Sequence, residues 1–188
     1  MAIKIFIDQG HNPTNPNAGA EGNGLREQDI TYDIGRRLAF LLRRNPAFEV
    51  RLSRNTPTEQ LGTSNSSSLA ARVNAANSWG ADYFISLHTN ASVIEDASGC
   101  EGYVYSVNSR AYELSRSICR YLSLQTGIPD RGVFSRPGLY VLRRTAMPAT
   151  LIEMGFITNR TDARLMSTEP DLFSRGIYNG IVNYFGLE

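Results

Sequence analysis

Hydrophobic and polar positions along the chain switch between a period of two and a period near 3.6. Ile3 to Ile7 is a short, largely β-branched run ending in Asp8-Gln9-Gly10-His11, the pattern of a buried strand that enters a functional loop. A Gly-, Asn- and Pro-rich stretch, residues 12–24, reads as loop. From about Gln28 to Arg44, Ile30, Ile34, Leu38, Leu41 and Leu42 recur at helical spacing with arginines on the other face, and Asn45-Pro46 is the stop. Phe48 to Leu52 reads as a second strand. Serine-rich residues 63–68 lead into a helix whose Leu69, Val73 and Ala76 share a face, with Ser68 the expected N-cap. Asp82 to His88 holds an aromatic and β-branched run expected to be a central strand. Tyr103 to Val107 reads as a strand, Ala111 to Leu124 as a helix with Leu114, Ile118 and Leu122 inward, Thr150 to Glu153 as a buried strand, and Leu172 to Phe185 as a closing helix.

Strands separated by helices of this length predict an α/β fold, a mostly parallel twisted sheet of about six strands with helices on both faces. No repeat or linker interrupts it, so residues 1–188 read as a single domain.

Composition narrows the chemistry. The only lysine is Lys4, without a Gly-Lys step, which excludes a P-loop and Schiff-base catalysis. A net charge of +1 argues against a nucleic-acid binder, and paired arginines such as Arg36-Arg37 read as solvated charges. No apolar stretch approaches the ~20 residues that span a bilayer. Cys100 and Cys119 lack metal-motif spacing and read as two small buried hydrophobes. Trp79 falls on the inward side of its helix and reads as core. The ending Leu187-Glu188 resembles a cloning remnant, with the expectation that a leader or second module was trimmed.

Ligand sites of open parallel sheets lie beyond the carboxyl ends of the strands. His11 follows the first strand, His88 ends the central one and Glu153 ends a later one, so three groups of metal or acid–base type are expected on one rim, with Glu27 a fourth. Two histidines and a carboxylate form a recognised set for catalytic zinc. The spacing leaves the assignment open: Glu27 also suits a helix first turn, and Glu101 competes with Glu153 as the working base. Asp8 is expected to orient His11 or its loop as an outer acceptor.

Four segments together carry a resemblance: Asp8-Gln9-Gly10-His11, Gly24-Leu25-Arg26-Glu27, Ser86-Leu87-His88-Thr89-Asn90, and residues 148–159 around Ile152-Glu153-Met154-Gly155. Arg72 with Ala76-Asn77, Gly99-Cys100-Glu101 and Asp130-Arg131-Gly132 support it. Across nearly the whole chain the sequence resembles zinc-dependent N-acetylmuramoyl-L-alanine amidases of the amidase-3 type. The resemblance implies a peptidoglycan hydrolase that cleaves between the lactyl group of N-acetylmuramic acid and L-alanine of the stem peptide. It implies one zinc ion held by His11, Glu27 and His88, with Glu153 as the catalytic carboxylate. Zinc activates water and polarises the carbonyl, while a carboxylate moves the proton to the departing amine.

The resemblance is imperfect around the first histidine, where Gln9 precedes Gly10 and Asn12-Pro13 follows, and at Gly102, where the family usually has a larger residue and the groove wall is expected to change. Asn90, Arg131 and Glu101 are the expected substrate contacts, since stem peptides carry amides and carboxylates. The partner implied is peptidoglycan, met by a monomer at the bacterial wall, with a wall-binding module or an activator protein as further candidates. Two alternatives from other classes are a zinc exopeptidase, which needs a base for a terminal carboxylate, and a silent wall-binding module, which would lack one of the four central residues.

Overall fold

The structure is a computed structural model that describes residues 1–187; Glu188, half of the ending read as a cloning remnant, lies outside the described residues. In chain order the first elements are β1 (Ile3–Gln9), the hairpin β2 (Glu21–Gly22) and β3 (Leu25–Arg26), α1 (Glu27–Arg43), β4 (Phe48–Leu52), α2 (Asn65–Trp79) and β5 (Tyr83–Asn90). They are followed by β6 (Cys100–Val104), α3 (Arg110–Thr126), β7 (Asp130–Ser135), α4 (Tyr140–Arg144), β8 (Ala149–Phe156), α5 (Arg160–Thr168) and α6 (Pro170–Phe185).

The six-stranded sheet has the order β4-β1-β5-β8-β6-β7, and only the β6–β8 pairing is antiparallel. Alternation along each central strand builds two cores. Ile5, Ile7, Ile85, Leu87, Ile152 and Met154 face α1, α3 and α6, where Ile34, Leu38, Ile118, Leu122, Phe173 and Ile177 meet them. Phe6, Phe84 and Leu151 face the other way, toward Val73, Ala76 and Trp79 of α2 and Val141 and Leu142 of α4. The sheet is thus buried on both sides, which is why its strands read as nearly continuous apolar runs. Trp79 is core, near Phe6 with ring centroids 6.5 Å apart.

Several expectations shift. The helix assigned an N-cap at Ser68 starts a turn earlier: Ser64 accepts from the Ser67 backbone amide in a capping box, and Ser68 is a buried helical residue whose hydroxyl accepts from Asn17. Strand β6 lies three residues before the expected 103–107, because Gly99 at φ 116 lets the chain turn into the sheet and Tyr105 and Val107 stay exposed. Part of the expected 12–24 loop is the β2–β3 hairpin, whose Asn23 and Gly24 both take positive φ, the requirement of a tight two-residue turn. Edge strand β7 is largely polar, α4 is a single short turn and α5 is short with few apolar residues, so none announces itself in the pattern. Among the described residues no helix is long and apolar enough to cross a membrane.

Helices α3 and α6 touch through glycine. A Cβ on Gly180 would sit 2.6 Å from the Ile118 Cα, and one on Gly176 2.8 Å from the Leu122 Cα. Backbone cannot yield as a side chain does, so Gly180→Ala should cost about 1–3 kcal/mol by overpacking. A thermal melt should show a Tm several degrees lower; an unchanged Tm would contradict this close approach.

Candidate active site

Three chain segments bring the two histidines and Glu27 together. Glu27 opens α1, where the helix dipole favours an acid, and its buried carboxylate turns toward the sheet. Oε2 accepts from the Ala20 amide (2.9 Å) and Oε1 from the Thr89 amide (2.9 Å). Oε2 also lies 3.2 Å from His11 Nε2, and Oε1 3.0 Å from His88 Nδ1. Glu27 is thus a first-turn acid whose carboxylate also meets both histidines. Burial alone would raise its carboxyl pKa, but hydrogen bonds and charge from His11 and His88 outweigh that and hold it well below the usual carboxylate range. The rings of His11 and His88 meet edge to face with centroids 4.9 Å apart.

Ligand-type atoms of His11, Glu27 and His88 all lie within 4.8 Å of one another. Two imidazole nitrogens and one carboxylate oxygen at that spacing suit zinc, and three protein donors leave a coordination position for water or substrate.

Glu153 stands beside this cluster, directly across the β5–β8 ladder from His88. Its Oε2 is buried with no hydrogen-bond partner. Burial, then the charges of Glu27 and Glu101, push its carboxyl up to about 8. Glu101 is its neighbour on the other side, opposite it in the antiparallel β6–β8 register. Both oxygens of Glu101 are occupied: the Tyr103 hydroxyl donates to Oε2 (2.5 Å) and Arg131 Nε pairs with Oε1. The free oxygen belongs to Glu153, which favours it over Glu101 as the proton carrier. Burial and the Glu101 carboxylate push the Tyr103 phenol up to about 12, so it remains the donor in that pair.

The other expected site residues fall around this centre with altered roles. Asp8 does not touch the His11 ring, and His11 Nδ1 has no partner; Asp8 pairs instead with the buried guanidinium of Arg72 (2.6 Å) and accepts from Ser86 Oγ (2.7 Å). It reaches His11 only through Arg72 and the loop backbone. Arg131 is engaged with Glu101 and lies over the Phe156 ring at 5.3 Å, its side chain about two-fifths exposed. Asn90 Oδ1 accepts from the Ala91 amide at the end of β5. Gly102 does not line a groove: a Cβ there would lie 2.1 Å from Ser115 Oγ of α3, so glycine is required by helix packing. Gln9 and Asn12, the departures flanking His11, are buried and tie neighbouring loops, Gln9 accepting from the Arg54 amide and Asn12 bonding the backbone of Leu61. Cys100 and Cys119 are free, buried thiols. Arg72, part of the motif resemblance, lies between Leu69 and Val73 on the inward stripe of α2, and that position is the sequence signal of its burial.

Metal-type donors converging beside a buried carboxylate toward the carboxyl edge of a mostly parallel sheet suit a hydrolase. Residues 5–183 match the N-acetylmuramoyl-L-alanine amidase family, and the chain belongs to it. The amidase CwlM of Bacillus licheniformis is 38% identical over 189 residues, covering 98% of this chain and 70% of the relative. The sporulation-specific N-acetylmuramoyl-L-alanine amidase of Bacillus subtilis is 36% identical over 189 residues, covering 99% and 69%. The crystal structure of N-acetylmuramoyl-L-alanine amidase from Clostridium difficile 630 shares the fold with a TM-score of 0.87 at 29% identity, covering 98% of this chain and 97% of that one. The protein is thus an N-acetylmuramoyl-L-alanine amidase, a peptidoglycan-cleaving amide hydrolase.

The Asp8–Arg72 pair predicts an acid-sensitive stability. Burial would raise the Asp8 carboxyl, but Arg72 and the Ser86 hydroxyl outweigh it and lower it below its ordinary 3.8. A depressed carboxyl contributes stability that is complete above the ordinary value and lost as pH falls through the folded one. Asp8→Asn leaves Arg72 uncompensated and should cost about 3–5 kcal/mol at neutral pH. Urea unfolding of both proteins across pH should show the gap narrowing in acid; a gap independent of pH would contradict the pairing.

Proposed function

We propose that His11, Glu27 and His88 hold one zinc ion per chain and that Glu153 is the acid–base carboxylate for hydrolysis of the amide between the lactyl group of N-acetylmuramic acid and L-alanine. The observation that carries this reading is the convergence of three donor atoms within 4.8 Å beside a carboxylate oxygen that has no other partner. Held by these residues, zinc would supply an acidified water and a polarised scissile carbonyl, and its positive charge would favour the ionised Glu153 carboxylate against burial and its acidic neighbours.

The chain supplies the rest. Glu153 Oε2 accepts the proton of the attacking water as the carbon–oxygen bond forms, then returns it to the amine nitrogen as the carbon–nitrogen bond breaks. With both imidazoles turned to the Glu27 carboxylate, a carboxylate has to carry this proton. Glu101, held by Tyr103 and Arg131, keeps one negative charge fixed beside Glu153 without competing for the proton. Asn90 and the half-exposed Arg131 are the proposed donors to stem-peptide amides and carboxylates. On this reading the enzyme works as a monomer on peptidoglycan at the bacterial cell wall, and a wall-binding module or activator protein would direct it there.

Metal analysis of protein purified without chelators should find close to one zinc per chain, and finding none, with no activity restored by zinc, would sink the assignment. Glu153→Gln should keep the metal and lose about 10²–10⁴-fold in turnover, whereas His88→Ala should lose both. Mass spectrometry of digested cell wall, following free L-alanine amino termini, reads the turnover. Ordinary turnover in Glu153→Gln would move the proton to another group.

A further inference from the structure

His11 sits at φ 67, in the left-handed region that a histidine adopts only under restraint. Gly10 before it has no room for a side chain, since a Cβ would lie 2.5 Å from His88 Cε1. The turn therefore presses the backbone of Gly10, just before His11, against the ring of His88, and something must keep it there.

The restraint is Arg72, buried on α2. Its Nη1 donates to the Gln9 carbonyl (2.6 Å) and its Nη2 to the His11 carbonyl (2.6 Å), so one rigid fork grips the backbone on either side of Gly10. The fork is itself fixed, because Nη1 also pairs with Asp8 Oδ1 (2.6 Å) and Asp8 Oδ2 accepts from Ser86 Oγ (2.7 Å). Ser86 precedes His88 by two residues on β5. A continuous path of polar contacts thus joins the backbone of His11 to the strand that carries His88.

We propose that Arg72 is a positioning residue that sets the metal affinity of the cluster by holding His11 in its left-handed conformation. The proposal rests on the metal site inferred above. Released from Arg72, the His11 carbonyl can rotate and φ relax toward negative values, which swings the imidazole away from Glu27. Lysine cannot substitute: its single ammonium can answer Asp8 but lacks the planar pair of nitrogens that reaches carbonyls 9 and 11 together.

The test compares wild type, Arg72→Lys and Gly180→Ala. Chelator-stripped proteins are titrated with zinc against a chromophoric competitor, and cobalt-loaded samples report ligand geometry by visible absorption. Arg72→Lys is expected to melt cooperatively but to bind zinc about 10–100-fold more weakly, the range for groups that orient metal ligands, with altered cobalt bands. Gly180→Ala, destabilised in the α3–α6 packing, should bind as wild type does. Equal zinc affinity in Arg72→Lys and wild type overturns the proposal, as does an equal weakening in Gly180→Ala, which would make the effect one of general stability. Absence of zinc binding by wild type overturns the metal site instead. If Arg72→Lys does not fold, Ser86→Ala takes its place: loosening Asp8 should weaken zinc at least threefold, and no change overturns the proposal.

Discussion

Taking a carboxylate out of water is costly unless its lone pairs are answered, and Glu27 has them answered by four groups from three parts of the chain. The amide of Ala20 comes from the residue before the β2–β3 hairpin, the imidazole of His11 from the loop after β1, and the amide of Thr89 and the imidazole of His88 from the end of β5. The partners belong to three segments, so the carboxylate fixes where those segments stand relative to one another. The two apolar layers hold the sheet together, but they leave its carboxyl edge free to vary. Glu27 removes that freedom at the place where the chemistry is done.

Much of this was legible in the sequence because the informative residues lie at the ends of strongly patterned segments. The run from Ile3 to Ile7 and that from Tyr83 to Leu87 identify central strands; His11 lies in the loop just beyond β1, and His88 lies inside β5, which runs on to Asn90 rather than ending at the histidine. The helical stripe from Ile30 to Leu42 places Glu27 at a helix start. What escaped notice is what periodicity does not encode. Strand β6 carries a glutamate and a glycine directly after its opening cysteine, and β7 is a polar edge strand, so neither shows the alternation of a half-buried strand. The Asn23-Gly24 turn was hidden in a stretch rich in loop formers. Ser68 looked like a cap because serines crowd the start of α2, and hydrogen bonding rather than residue type selects Ser64.

The site itself was legible in its membership and not in its wiring. Asp8, Glu101 and Arg131 all lie where the motifs suggest, yet their partners could not be deduced from spacing. Asp8 is drawn to Arg72 because a buried guanidinium needs a buried counter-charge more than an imidazole needs an acceptor. Arg131 is drawn to Glu101 for a related reason: two carboxylates facing each other across β6 and β8 repel, and a cation beside one of them relieves the strain. That asymmetry leaves one glutamate satisfied and the other, Glu153, with an oxygen to offer.

The reversed direction of β6 has a consequence for how such a site could diversify. Because β6 runs against β8, the segment 91–99 leaves the carboxyl end of β5, crosses the end of β8 and re-enters the sheet on the same edge. Its feet are anchored, with the Ser92 amide on Thr158 Oγ1 and the Gly99 amide on the buried Asp162 carboxylate, while Val93 and Ile94 project into solvent between them. The span is an arch beside the catalytic rim, held at its feet and also at Glu95, whose carbonyl accepts from Asn159 Nδ2. Its exposed pair, Val93 and Ile94, belongs to no strand that carries a ligand-type residue, so the mouth of the enzyme can vary there apart from its chemistry.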